Sequence, residues 1–187
     1  QPLLDKVKSL TDKPVTMVIN THAHYDHTNG QVEFPASVQV VAHANTKRYM
    51  EEANPVYALQ SGPQPNIFKA HGGRGMPSRT FIDTLTLNRG ADQIDLYHFG
   101  RAHTGGDTYV VFPALGVMHV GDTFPNKDLP IMDKNNGGSG VEFSSTLAKA
   151  AAVPGVTTII NGHFPTTMTP ADVKTYSAFI GEFVAAV

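Results

Sequence analysis

The sequence predicts an α/β fold whose reactive side chains gather at strand ends. Three observations predict it. Short β-branched apolar runs at 15-VTMVIN-20, 38-VQVVA-42 and 156-VTTIIN-161 have the length and composition of buried strands. Stretches of helical character, several with apolar residues at helical spacing, lie around them, at 3-LLDKVKSLT-11, 44-ANTKRYMEEA-53 and 141-VEFSSTLAKAAA-152. Histidines and aspartates fall directly after strand runs, where α/β proteins place their sites. The 187 residues, 41% of them hydrophobic, suffice for one cored domain over residues 1–187.

Each element has its own signal. In the first helix, Leu3, Leu4, Val7 and Leu10 recur at helical spacing. The first strand follows Pro14, and the segment 19-INTHAHYDHTNG-30 leaves it. After the helix at 44–53, residues 54–79 are rich in Pro and Gly, long for a structureless loop, and form a lid or substrate-loop candidate. The runs 80-TFIDTLTL-87, 93-QIDLYHF-99, 108-TYVVF-112 and 116-GVMHV-120 read as antiparallel strands in hairpins. A second loop spans 124–140. The last helix runs through 169-TPADVKTYSAFIGEFVAA-186, with Thr169 as N-cap and Pro170 at the first helical position.

Composition narrows the chemistry. Net charge is −2 and no Lys/Arg run stands out, so neither nucleic acid nor an anionic membrane is indicated as partner, which leaves a small-molecule substrate open. No apolar run approaches the length of a membrane span. There are no cysteines, hence no disulfide, thiolate ligand or cysteine nucleophile. The compartment stays open: a soluble protein, periplasmic or secreted if a signal peptide was removed.

The segment after the first strand carries His22, His24, Asp26 and His27 within six residues. Neutral imidazole suits zinc and similar divalent metals, and carboxylate joins it. Side chains alternate along a strand, so only a loop leaving the strand can aim His22 and His24 to one side and Asp26 and His27 to another. That spacing implies two adjacent metal positions. His22, His24 and a third histidine suit one; Asp26, His27 and a further histidine suit the other, with a bridging carboxylate between.

The H-x-H-x-D-H pattern after a strand resembles the signature of the metallo-β-lactamase-fold superfamily. The downstream markers resemble it in the expected order: 101-RAHTGGDT-108 with His103, 118-MHVGDTF-124 with Asp122, and 161-NGHF-164 with His163. The resemblance covers the chain from about Val15 onward. It implies an αββα sandwich. It also implies a first metal on His22, His24 and His103 and a second on Asp26, His27 and His163, with Asp122 shared. Two zinc ions per chain are expected, with iron or manganese as alternatives. The implied activity is hydrolysis of an ester, lactone, amide or β-lactam-type bond by water activated on the metals, with Asp26 orienting the nucleophile or moving its proton. The alternatives are a catalytically silent or binding fragment of the same fold and a di-iron redox member.

The chain also departs from that pattern. Only about twenty residues precede His22, so much of the N-terminal half-sheet is expected to be missing. An uncovered edge invites a homo-oligomer, a partner chain or a missing N-terminal segment. Asp122 stands where many β-lactamases of the superfamily carry Cys or Ser. Lactonases share the character of 22-HAHYDH-27, whereas the thioester-hydrolysing branch usually has a further helical domain. The motifs look most like broadly defined, cyclase-like metallo-hydrolases.

Among the other polar residues, His98 and His119 sit in strand patterns and read as packing or supporting groups. His71 reads as an exposed loop histidine, and His43 has no assigned role. Arg74 and Arg79 have the geometry to hold a substrate carboxylate, but surface solubility is the favoured reading for each. Asp107 and Thr108 are expected to support the His103 loop. Gly105, Gly106 and Gly121 are expected in tight turns beside the metals. The run 72-GGRG-75 lacks the strand-to-helix context of a phosphate loop.

Overall fold

The computed structural model describes residues 2–187. Its first sheet is parallel, in the order β1 (Met17–Ile19), β2 (Gln39–His43), β3 (Arg79–Phe81). The second has five strands, β4 (Thr84–Leu87), β5 (Ile94–Tyr97), β6 (Tyr109–Phe112), β7 (Val117–His119) and β8 (Thr158–Ile160). Strands β4 to β7 pair antiparallel, and β8 joins β7 in parallel. Helix α1 (Pro2–Leu10) precedes the sheets, and α2 (Tyr25–Thr28), α3 (Ala44–Glu52) and α4 (Ile67–Ala70) accompany the first. Helices α5 (Gly140–Ala151) and α6 (Pro170–Ala185) cover the second. Three strands stand against five, the imbalance expected from the sequence.

The period of two along β6 explains the layering. Val110 and Phe112 face the first sheet, packing with Val41, Phe81, Leu87 and Leu96. Tyr109 and Val111 face the helices, in a cluster with Met118, Phe143, Leu147, Ile159 and Ile180. Several of these side chains are fully buried, each removal from water contributing about 1.5–3 kcal/mol. The helix pair is stitched by reciprocal bonds: Ser144 Oγ donates to Ser177 O (2.8 Å) and Ser177 Oγ to Ser144 O (2.7 Å). Thr169 and Asp172 form a reciprocal capping box with Pro170 at the first helical position, as the sequence predicts.

The structure corrects one strand. Residues 80–87 are not a single antiparallel strand. The chain leaves the first sheet after Phe81 and enters the second at Thr84. Phe81 and Leu87 both reach the core between the sheets, while Ile82 is exposed. The strand-like composition of the run, rich in Thr, Leu, Ile and Phe, concealed the switch.

The expected lid at 54–79 is also divided. Phe68 is buried with Val32 and Met50, and Gln31 Nε2 donates to Gly75 O at 2.6 Å, so the second half is packed down. Val56 and Leu59 alone reach the cleft described below.

Candidate metal centre

Strand β1 ends at Ile19; His22 follows at a bend and His24 on extended backbone. Helix α2 then starts, its turn carrying Asp26 and His27 to another side. This is the division that the alternation of side chains requires. His103 lies between β5 and β6, Asp122 in a single helical turn after β7, and His163 just past β8. All seven side chains converge. His22, His24, His103 and Asp122 each bring one ligating atom within 4.8 Å of the others, and so do Asp26, His27 and His163.

Asp122 stands between the two groups. Its Oδ2 lies 2.8 Å from His163 Nε2, 3.4 Å from His27 Nε2, 3.7 Å from His22 Nε2 and 3.8 Å from His103 Nε2. His27 Nε2 is 3.2 Å from His163 Nε2 and 3.2 Å from Asp26 Oδ2. Two glycines allow this crowding. Gly121 has φ +54°, and a Cβ there would come 2.9 Å from Thr21 Cβ. A Cβ on Gly162 would overlap Asp122 Oδ1.

The surroundings fix which imidazole nitrogen is free. His103 Nδ1 donates to the carbonyl of Ile131 at 2.7 Å, leaving the Nε2 lone pair facing the site. His24 Nε2 donates to Asp133 Oδ2 at 2.8 Å, leaving Nδ1, which is 3.1 Å from His103 Nε2. His22 Nδ1 lies 3.0 Å from Thr21 Oγ1. Burial holds the His22 ring well below the usual histidine range and takes His103 to about 4, so both are neutral at pH 7 and free to act as ligands. Burial works against a charged His27, but Asp122 and Asp26 outweigh it and raise its pKa. Asp122 is held down because His27, His103 and His163 outweigh its burial.

The residues fit a metal on grounds of their own geometry. His22 Nε2 and Asp122 Oδ1 are buried without a hydrogen-bond partner, an arrangement that costs free energy unless a cation completes it. Neutral imidazoles with carboxylates form a donor set for zinc, iron or manganese.

Asp133 was absent from the sequence-derived site. It is fully buried and accepts from His24 Nε2, Asn136 Nδ2 (2.6 Å), Tyr57 N (3.0 Å) and Asn135 N (3.1 Å). These donors hold its carboxyl at about 2 despite burial. The available signal was the acidic residue at the mouth of 133-DKNNGGSG-140, a turn-rich segment. Asp107 behaves as expected, accepting from Thr104 N and Oγ1 and so bracing the His103 loop; burial raises it to about 7. Gly105 O and Gly106 O accept from Asn45 Nδ2 and Thr46 Oγ1, tying the same loop to α3. His119 Nδ1 accepts from Gly121 N, holding the turn that presents Asp122. His98 stacks on buried His43, ring centroids 4.0 Å apart. His71 and Arg74 lie together at a separate surface hollow, and Arg79 begins β3, so none of the three reaches the cluster.

The cluster opens into a cleft of about 350 Å³ bordered by residues 56 and 59 on one side and 125–131 and Phe164 on the other. Two facing sheets between helical layers, with a histidine–aspartate cluster at the strand ends that could hold a metal, define an α/β sandwich. The chain belongs to the metallo-β-lactamase superfamily, whose family profile matches residues 3–178. The fold is similar to that of DIM-1 metallo-β-lactamase, with TM-score 0.73 and 16% identity over 97% of this chain and 75% of that one. A metallo-β-lactamase from Pontibacter korlensis gives TM-score 0.68 at 20% identity over 96% and 75%. FIM-1 from Pseudomonas aeruginosa, in a mono-zinc form, gives 0.68 at 15% over 97% and 73%. A comparison with curated proteins returns no match. Among the described residues, no helix is long and apolar enough to cross a membrane.

Proposed function

We propose that the protein is a metal-dependent hydrolase carrying two zinc ions, acting on an ester, lactone, amide or β-lactam-type bond. One observation carries this reading: seven ligand-type side chains from four strand ends, Asp122 standing between the two groups, converge at the floor of an open cleft. His22, His24 and His103 would hold one ion and Asp26, His27 and His163 the other, with Asp122 shared. Bound zinc supplies Lewis acidity and brings the pKa of water to ~7.

The chain's own residues supply the rest. Asp133 and the Ile131 carbonyl hold His24 and His103 in the tautomers that leave a lone pair toward the site. Asp26, 41% exposed and on the cleft wall, accepts the proton of the attacking water and returns it to the leaving group. Water oxygen bonds to the carbonyl carbon, and the bond from that carbon to the leaving heteroatom breaks. Tyr25 and Phe164 flank the cleft mouth and limit water around the substrate.

Metal content per chain, measured by inductively coupled plasma mass spectrometry on protein purified without chelator, tests the reading together with turnover of ester, lactone and β-lactam reporters. Close to two zinc per chain and turnover abolished by chelator are expected. A folded protein that takes up no zinc, or that takes it up and hydrolyses none of the reporters, would refute it. Two iron per chain would replace it with a redox centre.

A further inference from the structure

The walls of the cleft differ in character from its floor. Val56, Leu59, Leu129, Ile131 and Phe164 border it, and Leu59 (59%), Leu129 (56%) and Phe164 (48%) are strongly exposed. Apolar side chains gathered around one opening mark a binding surface. Of the carboxylates in the lining, Asp26 and Asp122 belong to the ligand cluster and Asp128 lies apart from it, and among the described residues no lysine or arginine contributes to the lining. Cations on the flanking segments are engaged elsewhere. Lys127 pairs with Asp172 at 2.7 Å, Arg101 with Glu142, and Lys134 lies over the Tyr57 ring at 4.2 Å. A substrate carboxylate held away from the metals needs a guanidinium or ammonium partner, and Arg74 and Arg79 lie outside the cleft.

We propose that this cleft takes uncharged carbonyl substrates bearing an apolar chain, and that it discriminates against substrates bearing a carboxylate, as β-lactam antibiotics do. This deepens the hydrolase reading and rests on it. The cleavable carbonyl sits over the metal ligands, and the chain lies along Leu59, Leu129, Ile131 and Phe164. Transfer of that chain from water onto these walls supplies binding, whereas a carboxylate on the same path would lose its hydration without gaining a cationic partner.

The test uses the zinc-loaded protein and p-nitrophenyl esters of acetic, butyric, hexanoic and octanoic acids, with mono-p-nitrophenyl suberate as the eight-carbon ester ending in carboxylate. We expect kcat/KM to rise about two- to fourfold per methylene and to fall about tenfold or more when the chain ends in carboxylate. Leu129→Lys should shift the suberate-to-octanoate ratio toward suberate by about tenfold. A flat chain-length series, or equal turnover of the charged and neutral eight-carbon esters, would overturn the proposal. Titration of the zinc-loaded protein with octanamide and with the monoamide of suberic acid, followed by amide NMR shifts at Leu59, Leu129 and Phe164, separates this inference from the hydrolase reading. Preference for the neutral amide upholds the inference even if no ester is hydrolysed. Equal or reversed preference overturns it whatever the activity.

Discussion

Replacing Asp133 with asparagine tests the ligand geometry without touching a ligand. The introduced amide has the same shape, and its oxygen can keep the two backbone donors, Tyr57 N and Asn135 N, that now meet Oδ1. Its NH₂ then falls where Oδ2 accepts from His24 Nε2. An NH₂ cannot accept that proton, so His24 reverses its tautomer, accepts at Nε2 and carries its hydrogen on Nδ1. Nδ1 is the nitrogen that faces His103 across 3.1 Å. The lone pair that the metal needs is then occupied by a proton. Disrupting such a carboxylate–histidine pair weakens metal binding about 10–100-fold, or about 1.4–2.8 kcal/mol. Competition against a chromophoric zinc chelator at pH 7 measures the change, and thermal unfolding of the metal-free variant shows that it folds. A folded Asp133→Asn protein that binds zinc as tightly as the wild type would refute the tautomer argument.

Three further outcomes follow from the same structure. Asp26→Asn should lower kcat on the best ester about 10²–10⁴-fold with little change in KM; steady-state kinetics at saturating zinc decide it, and an unchanged kcat removes Asp26 from proton transfer. Gly162→Ala forces Asp122 Oδ1 to move, so it should cost about 1–3 kcal/mol in urea unfolding and reduce zinc uptake; a variant with wild-type stability and zinc content would contradict the close approach. Asp172 is held at about 2 by Lys127 and by the cap bonds from Thr169, below its ordinary 3.8. Its contribution is therefore complete above pH ~4 and lost as pH falls toward ~2. Asp172→Ala should cost about 0.5–2 kcal/mol at pH 6, with the gap in Tm to wild type closing between pH 4 and pH 2; a constant gap counts against the capping role.

The seven cluster residues were legible because one spacing, H-x-H-x-D-H, concentrates four of them, and the other three each follow an apolar strand run. The αββα layers were legible through the family resemblance that these motifs carry, while the apolar run 108-TYVVF-112 and the capped last helix signalled individual elements. Asp133 was not legible. Its partner His24 lies 109 positions away, and an acidic residue in a turn-rich loop ordinarily stands in solvent. The sheet switch at Ile82 was hidden for a different reason: local hydrophobicity reports that Phe81 and Leu87 are buried, but not that they belong to different sheets. Arg74 and Arg79 lie outside the cleft, where the surface reading favoured from the sequence puts them.

The segment from Phe124 to Asp133 joins two tasks in one short piece of backbone. Phe124 and Asp133 are its buried ends, Asp128 O accepts from Tyr176 Oη, and Lys127 reaches Asp172 on α6. Pro125 and Leu129 form a wall of the cleft, while Ile131 O and Asp133 steer His103 and His24. If the cluster holds metal as proposed, changes of specificity and of metal affinity are coupled wherever they fall on residues 131–133. An insertion near Ile131 made to admit a bulkier substrate would also detune the ligands, and selection for new substrates would be channelled toward the tip at 125–129 and toward Val56 and Leu59, where the wall can vary without the centre noticing.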